Sequence, residues 1–165
     1  MTFTVPANAR PNTQVMVKMG TTAGVITITP SFVAGTTNVT PPGVATQRIT
    51  IMRAAPALTS VECVRRGTTA FDVTADGFTN TRAAGQATFD FQAATGASLG
   101  TTQLTVDATQ PFTTRFASAT GANAGGTFRY TQPFNVQGNS NDVGSVTVRL
   151  ANAAGTSPSA TAVCR

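Results

Sequence analysis

Few side chains in this 165-residue chain could carry chemistry. The chain has no histidine, so the usual proton shuttle at neutral pH and the commonest metal ligand are both missing. Serine and threonine hydroxyls are plentiful, but no imidazole is present to activate one as a nucleophile. The sequence also has no phosphate-binding loop, dinucleotide fingerprint or G-x-S-x-G elbow. These features predict that the chain has no catalytic residues and is not an enzyme.

The remaining candidates for acid–base or metal chemistry are the six carboxylates, Glu62, Asp72, Asp76, Asp90, Asp107 and Asp142. Two carboxylates held together can hydrolyse glycosidic bonds, but nothing in the spacing brings two of these together. Alternation places Asp72 and Asp90 on the polar faces of strands, and Asp76-Gly77 is typical of a turn. Asn141 and Asp142 could offer oxygens to Ca²⁺, but they lack the ligand spacing of an EF-hand. We therefore predict no metal site and no cofactor.

The two cysteines, Cys63 and Cys164, do not form a close metal-binding motif such as C-x-x-C. Each stands in a strand-like context, VECVRR and TAVCR. A disulfide between them would tie the start of the second half of the chain to its last strand. It would close a loop of about 100 residues and stabilise the fold by up to ~4–5 kcal/mol. This pairing predicts an oxidising compartment, whereas the alternative is two buried free thiols in a cytosolic protein.

Charge and hydropathy disfavour two classes of partner. The net charge is +5, but the arginines are scattered singly except for Arg65-Arg66, so we predict no nucleic-acid partner. No run approaches the ~20 apolar residues that span a bilayer, so we predict no membrane insertion. The start MTFTVPANARP lacks the basic and apolar regions of a signal peptide. With the predicted disulfide, this favours the mature piece of a secreted protein, located outside the cell or on its surface.

Polar and apolar residues alternate along many short runs, which is typical of strands that have one face in a core. In residues 86–92, Phe89 and Phe91 point one way while Asp90 points the other. We interpret the ten phenylalanines as core residues rather than as a surface for stacking sugars. The predicted strands are 2–5, 14–19, 24–30, 47–53, 58–65, 70–75, 86–93, 102–107, 127–136, 144–151 and 159–164.

The predicted fold is all-β. No stretch of 12 residues carries a convincing helical stripe, and Ala-rich pieces such as FASATGANAGG are interrupted by glycine. A domain boundary falls near residues 52–60, where a strand ends and Ala-Ala-Pro forms a short, stiff link. Residues 55–165 then form an immunoglobulin-like antiparallel β-sandwich of about seven strands. Residues 1–54, with about four strands, form a short or incomplete β module of the same kind.

Two parts of the sequence resemble the linked immunoglobulin-like repeats of large bacterial secreted and cell-surface proteins. The first part comprises TVPANARPNTQVMVKMGTTAGVITITPSF and NVTPPGVATQRITIMRAAPALTSV. The second, FDVTADGFTNTRAAGQATFDFQAATG with TFRYTQPFNVQGNSNDVGSVTVRLANAAGTS, is similar to the terminal repeat of such proteins. The resemblance implies the fold and a surface location, since such modules act as spacers, stalks, adhesin shafts or fibre subunits.

These observations predict a structural protein whose partners are other copies or neighbouring immunoglobulin-like modules. A first module that lacks strands would expose backbone donors at an edge, and a neighbour's strand could fill the gap. Repeated head to tail, this strand addition builds a filament. The alternative is an adhesin module that binds a surface glycan or protein through loops at 76–85, 119–126 or 138–143. A second alternative is a viral capsid or decoration protein.

Overall fold

The computed structural model describes residues 20–165, together with Thr4 and Met16. The strands predicted at 2–5 and 14–19 lie, apart from those two residues, outside the described residues. The described part is mostly β, as predicted. Its elements, in chain order, are β1 (Gly24–Ile28), β2 (Val33–Ala34), β3 (Thr37–Asn38), β4 (Gln47–Ile51), β5 (Ala57–Arg65), β6 (Ala70–Phe78), β7 (Gln86–Ala93), β8 (Gln103–Asp107), α1 (Thr109–Ala117), α2 (Ala119–Asn123), β9 (Thr127–Asn135), a 3₁₀ helix (Ser140–Asp142), β10 (Val143–Asn152), β11 (Gly155–Thr156) and β12 (Ala160–Val163).

Two antiparallel sheets build the sandwich in residues 57–165. The first sheet has the strand order β5-β6-β9. In the second sheet β10 pairs with β7 on one side and with β12 and β11 on the other, and β8 forms the far edge. The chain crosses between the sheets after β6, β8 and β9, which is the connectivity of an immunoglobulin-like sandwich. The predicted fold class is confirmed.

The inner faces of both sheets supply the core. Buried and half-buried residues alternate along the whole of β6, and β7 and β10 repeat much of this pattern. Phe89 and Val148 lie opposite each other in the β7–β10 ladder, and both are fully buried. Phe71 of the first sheet packs against Phe91 of the second, with 5.8 Å between ring centroids. Each such side chain contributes roughly 1.5–3 kcal/mol on burial, so this interface is the main source of stability.

Two short helices, α1 and α2, lie between β8 and β9, where no helix was predicted. Phe112 and Phe116 form the buried face of α1, and Phe112 packs 4.9 Å from Phe128 of β9. A stripe of two residues in so short a helix does not stand out in a sequence. Gly121, interpreted as a helix breaker, is needed where α2 meets α1, because a Cβ there would lie 1.8 Å from the Arg115 carbonyl oxygen.

Asp76 and Gly77, predicted to form a turn, instead lie inside β6. Gly77 has no room for a side chain, since a Cβ there would lie 2.2 Å from the Ala57 carbonyl oxygen of β5. The glycine therefore serves close packing of backbones rather than a change of direction. The loop predicted at 76–85 is shortened accordingly to residues 79–85.

Residues 20–54 form two small ladders, β1 with β4 and β2 with β3. Ile26 and Ile49 lie opposite each other in the first ladder, and both are half-buried. None of residues 20–54 is fully buried, so this part of the chain contributes nothing to the described core. The division of the chain at residues 54 and 55 stays a prediction.

Candidate functional site

A disulfide joins Cys63 of β5 to Cys164, the residue after β12. This is the predicted pairing, and it spans 101 residues of sequence. The Arg65 N–H donates to the Arg165 carbonyl oxygen at 2.8 Å, and the Arg165 N–H donates to the Cys63 carbonyl oxygen at 3.2 Å. The two segments run parallel at this point. The disulfide indicates an oxidising, non-cytoplasmic environment.

The Arg65 side chain binds three backbone carbonyl groups around the disulfide. Its Nε donates to the Ser140 oxygen at 3.2 Å, its Nη1 to the Cys164 oxygen at 2.5 Å and its Nη2 to the Val143 oxygen at 2.8 Å. A planar guanidinium can reach several acceptors at once, which an ammonium cannot do in the same geometry. Sequence reasoning missed this role. The sequence did contain one indication: Arg65 is two residues after Cys63, and residues two apart in a strand have their side chains on the same face.

Three of the six carboxylates are paired with arginines on the outer faces of the sheets. The pairs are Asp72–Arg66, Asp76–Arg129 and Asp90–Arg149. The polar-face positions predicted for Asp72 and Asp90 are confirmed. Two hydrogen bonds of 2.8 and 2.7 Å join Arg129 to Asp76, and they hold the pKa of the Asp76 carboxyl below its usual value. The outer faces therefore carry arginine–aspartate pairs, and Asp76 is ionised at neutral pH.

Asp107 stands apart from these pairs, at the end of β8. Its Oδ1 accepts a hydrogen bond from the Thr109 N–H at 2.8 Å, at the start of α1. Hydrogen bonds from Thr109 lower the pKa of the Asp107 carboxyl. Within residues 20–165, no group of three or more His, Cys, Asp or Glu side chains is placed to hold a metal ion.

Burial raises the pKa of the Tyr130 hydroxyl to about 12, from an ordinary value of 10.0. Because the folded state keeps this proton longer than the unfolded state, the contribution to stability is fully present below pH 10 and is lost as the pH rises towards 12. We expect the free energy of unfolding to fall more steeply over this range in the wild type than in Tyr130→Phe. Urea unfolding at a series of pH values measures both slopes.

The stability of the Tyr130→Phe variant at neutral pH provides the reference for its loss of stability at alkaline pH. At neutral pH it loses only the hydrogen bond that the hydroxyl donates to Gln132 Oε1 at 2.7 Å, worth about 1 kcal/mol. Equal slopes for the two proteins above pH 10 would contradict the assignment of the alkaline loss to this hydroxyl.

The three loops predicted to bind a ligand do not meet at one site. Residues 79–85 and 119–126 lie at one end of the sandwich, where the Thr79 N–H donates to the Gly126 carbonyl oxygen at 2.8 Å. Residues 138–143 follow β9 at its opposite end. Arg82 of the first loop donates to the carbonyl oxygens of Phe116 and Gly121 at 2.8 and 3.2 Å, so it stabilises the C-terminal end of α1.

Two asparagines fasten the connection between residues 20–54 and the sandwich. The Asn80 side chain accepts from the Ala54 N–H at 3.0 Å and donates to the Met52 carbonyl oxygen at 2.7 Å. The Asn152 side chain donates to the Ala54 carbonyl oxygen at 2.9 Å. Side-chain amides thus satisfy backbone groups that a free linker leaves to water. The sequence indicated a stiff link here but gave no sign of these two partners.

A cavity of about 440 Å³ lies near the end of the sandwich that carries residues 138–143. Its apolar wall includes Phe71, Phe91 and Phe134. Its polar lining includes Ser98, Thr101, Asn135, Gln137, Asn139 and Asp142. Phe134 is only half-buried, which departs from the interpretation of the phenylalanines as core alone. We refer to this feature as the Phe134 cavity.

None of the helices in residues 20–165 has the length and apolar character needed to cross a membrane. No protein-family model matches the chain, and a search of curated proteins finds no match. The resemblance to the immunoglobulin-like repeats of bacterial surface proteins therefore stays a prediction.

Proposed function

We propose that this protein is a non-enzymatic, load-bearing structural module of a bacterial extracellular or cell-surface protein, as part of a shaft, stalk or fibre. The position of the disulfide carries the proposal. Cys63 lies on the first strand of the sandwich and Cys164 follows its last strand. Tension along the chain therefore passes between the two cysteines through a covalent bond, and the chain segment between them is not stretched.

Non-covalent contacts beside the disulfide support the same role. The segments that hold the cysteines run parallel, so tension along the chain loads their hydrogen bonds together in shear. Arg65 adds a side-chain bond to the Cys164 carbonyl oxygen, and its other two bonds reach the start of β10 and the 3₁₀ helix. Hydrogen bonds thus join the first and last strands of the sandwich in addition to the disulfide.

The fastened connection before the sandwich fits a shaft better than a string of loosely joined modules. Asn80 and Asn152 bond the N–H and the carbonyl oxygen of Ala54, respectively. A flexible linker would let neighbouring modules swing, whereas a bonded connection limits their relative motion. In a shaft, this stiffness keeps the far end of the protein away from the surface to which it is attached.

The proposal predicts a specific response to force. When the full chain is held by its two ends in an optical trap, we expect the oxidised protein to lengthen only by the residues outside the disulfide loop. Reduction adds roughly 330–360 Å, the extended length of a chain segment whose ends are 101 residues apart in sequence. Equal lengths before and after reduction would show that the sulfur bond does not carry the load.

The location of the native protein distinguishes a load-bearing surface module from a protein that is merely stable. In material from the native cells, alkylation followed by mass measurement should find both cysteines oxidised, and labelling of intact cells should reach the protein. A reduced protein confined to the cytosol would overturn the proposal, whatever the force measurement gives.

A fibre requires self-association, and the β1–β4 ladder supports it. Each of these strands pairs with a single partner among the described strands, so within that part of the chain its other edge is unpaired and could take up a neighbour's strand. We expect light scattering of the full-length protein to give a mass that rises with concentration. A constant monomer mass would exclude the fibre and leave the shaft or stalk.

A further inference from the structure

We propose that the Phe134 cavity binds one neutral sugar residue of a glycan. This binding function is additional to the load-bearing role and does not depend on it. The cavity volume of about 440 Å³ falls within the range of small-molecule sites, which combine an apolar wall with a few converging polar groups. A pyranose ring has this combination too, since it carries an apolar face of C–H groups and a rim of hydroxyls.

Phe134 supplies a rigid apolar surface. Its ring is the outermost of a four-ring cluster, with centroids 5.2 Å from Phe71, 5.3 Å from Phe91 and 4.9 Å from Phe89. These neighbours hold the ring in place, while its half-buried state leaves part of it accessible beside the cavity. A ring that is already fixed loses little conformational entropy when a ligand packs on it.

Four of the five neutral polar side chains that line the cavity are uncommitted, unlike those of the sheet surfaces; the fifth, Asn139, accepts from the Asn141 N–H at 3.0 Å. On the outer faces, threonines bond to each other across the strands, as in the pairs Thr74–Thr131 at 3.0 Å and Thr147–Thr161 at 2.8 Å. The side chains of Ser98, Thr101, Asn135 and Gln137 line the cavity, and none of them hydrogen-bonds to another described residue. Hydroxyl and amide groups both donate and accept, as sugar hydroxyls do.

The charge of the cavity selects among sugars. Asp142 is the charged residue of the lining, and the described lining contains no lysine or arginine. An acidic sugar or a phosphate would meet a like charge and no cation, which disfavours it. A carboxylate accepts hydrogen bonds from hydroxyls of a neutral sugar without such a penalty.

A neighbour's strand fits the β9 edge of the cavity less well than a sugar. Two sheet edges flank the cavity: that of β9, which pairs only with β6 among the described strands, and that of β8, which pairs only with β7 and places Leu104 in the lining. Pro133 stands in β9 next to Phe134 and has no N–H to offer a ladder. Proline at an edge is one of the means by which proteins prevent strand addition. At the β9 edge these observations therefore favour a small polar ligand over an added strand.

An NMR titration of the ¹⁵N-labelled full-length protein tests the proposal. The probes are the neutral methyl glycosides of glucose, galactose and mannose and free N-acetylglucosamine, with glucuronic acid and N-acetylneuraminic acid as acidic comparators. We expect at least one neutral probe to shift the amide signals of residues 98–101 and 135–139, with a dissociation constant in the millimolar range. The proposal would be overturned if only the acidic sugars shifted these signals, or if none of the probes did.

Variants assign the binding to the cavity. We expect Phe134→Leu, and separately the double variant Asn135→Ala/Gln137→Ala, to weaken binding at least about tenfold, a loss equivalent to 1.4 kcal/mol. Asn135 and Gln137 are exposed, so the double variant keeps the fold if Phe134→Leu does not. The matched control, Thr161→Ala on the outer face, leaves the affinity unchanged. An unchanged affinity in the double variant would indicate that the sugar binds at a different site. Amide signals of residues 135–139 that move with protein concentration alone would indicate that a second copy of the protein occupies the cavity.

Discussion

We expect the double variant Cys63→Ala/Cys164→Ala to lose about 4 kcal/mol of unfolding free energy. The disulfide closes a loop of 101 residues, so its removal releases a large conformational entropy in the unfolded chain. Domains are commonly stable by only about 5–15 kcal/mol, so the loss is a large part of the total. Urea unfolding, with mass spectrometry to establish the oxidation state, measures the difference.

Reductant and a neighbouring substitution provide the controls for this prediction. Reduction should destabilise the wild type by a similar amount and leave the double variant unchanged. Val64 is the residue after Cys63 in β5, and its side chain is 45% exposed. The substitution Val64→Ala should therefore change the free energy of unfolding by at most about 0.5 kcal/mol. A double variant as stable as Val64→Ala would mean that strand packing, rather than the covalent link, holds the first and last strands together.

The strands of the sandwich were predictable because their environment has a period of two. The strand predicted at 86–93 is observed at Gln86–Ala93, and the one predicted at 144–151 is observed at Val143–Asn152. Both are central strands with one face in the core and one in water, which forces the alternation of apolar and polar side chains. Where one face of a strand is buried along its whole length, the alternation of apolar and polar residues is visible in the sequence itself.

The errors occurred where a residue type had two physical uses. Glycine was interpreted as a breaker or a turn former, yet Gly121 and Gly77 are places where another backbone leaves no room for a Cβ. That use depends on a neighbour distant in sequence, which no local pattern reports. The helix α1 was missed for a related reason. Its buried face consists of two phenylalanines, and one of them packs on Phe128 of β9, a contact that local sequence does not reveal.

The candidate sites divide in the same way. The disulfide was predicted because two cysteines in strand contexts leave a single possible pairing. The Phe134 cavity was not predicted, because its walls come from several separate parts of the chain, near residues 71, 91, 98–104 and 134–143. The asparagines that fasten Ala54 were also missed, since an asparagine in a loop is usually attributed to turn chemistry.

The second large effect is expected from Arg65, which local sequence describes only as one of two adjacent arginines. We expect Arg65→Met to lose roughly 3 kcal/mol of unfolding free energy, because the carbonyl oxygens of Ser140, Val143 and Cys164 lose a charged donor in a partly buried corner. Arg65→Lys should recover only part of the loss, since an ammonium does not span the three acceptors. Urea unfolding at neutral pH measures both variants.

The adjacent arginine is the matched control for this prediction. Arg66 is exposed and pairs with Asp72 on the outer face, and exposed ion pairs contribute only about 0–1 kcal/mol. Arg66→Met should therefore have a small effect on stability, and equal losses in Arg65→Met and Arg66→Met would refute the role assigned to Arg65.

Combining Arg65→Met with the cysteine variant tests whether the side chain and the disulfide act on one element. Arg65 bonds the carbonyl group of Cys164 itself, so once the sulfur link is gone the end of the chain is held largely by that bond and the backbone bonds beside it. Residues that share partners give non-additive losses, typically by 0.5–3 kcal/mol. We expect the combined loss to differ from the sum of the two by about 1 kcal/mol or more. A strictly additive result would mean that the guanidinium stabilises the 3₁₀ helix and β10 and takes no part in joining the first strand of the sandwich to the last.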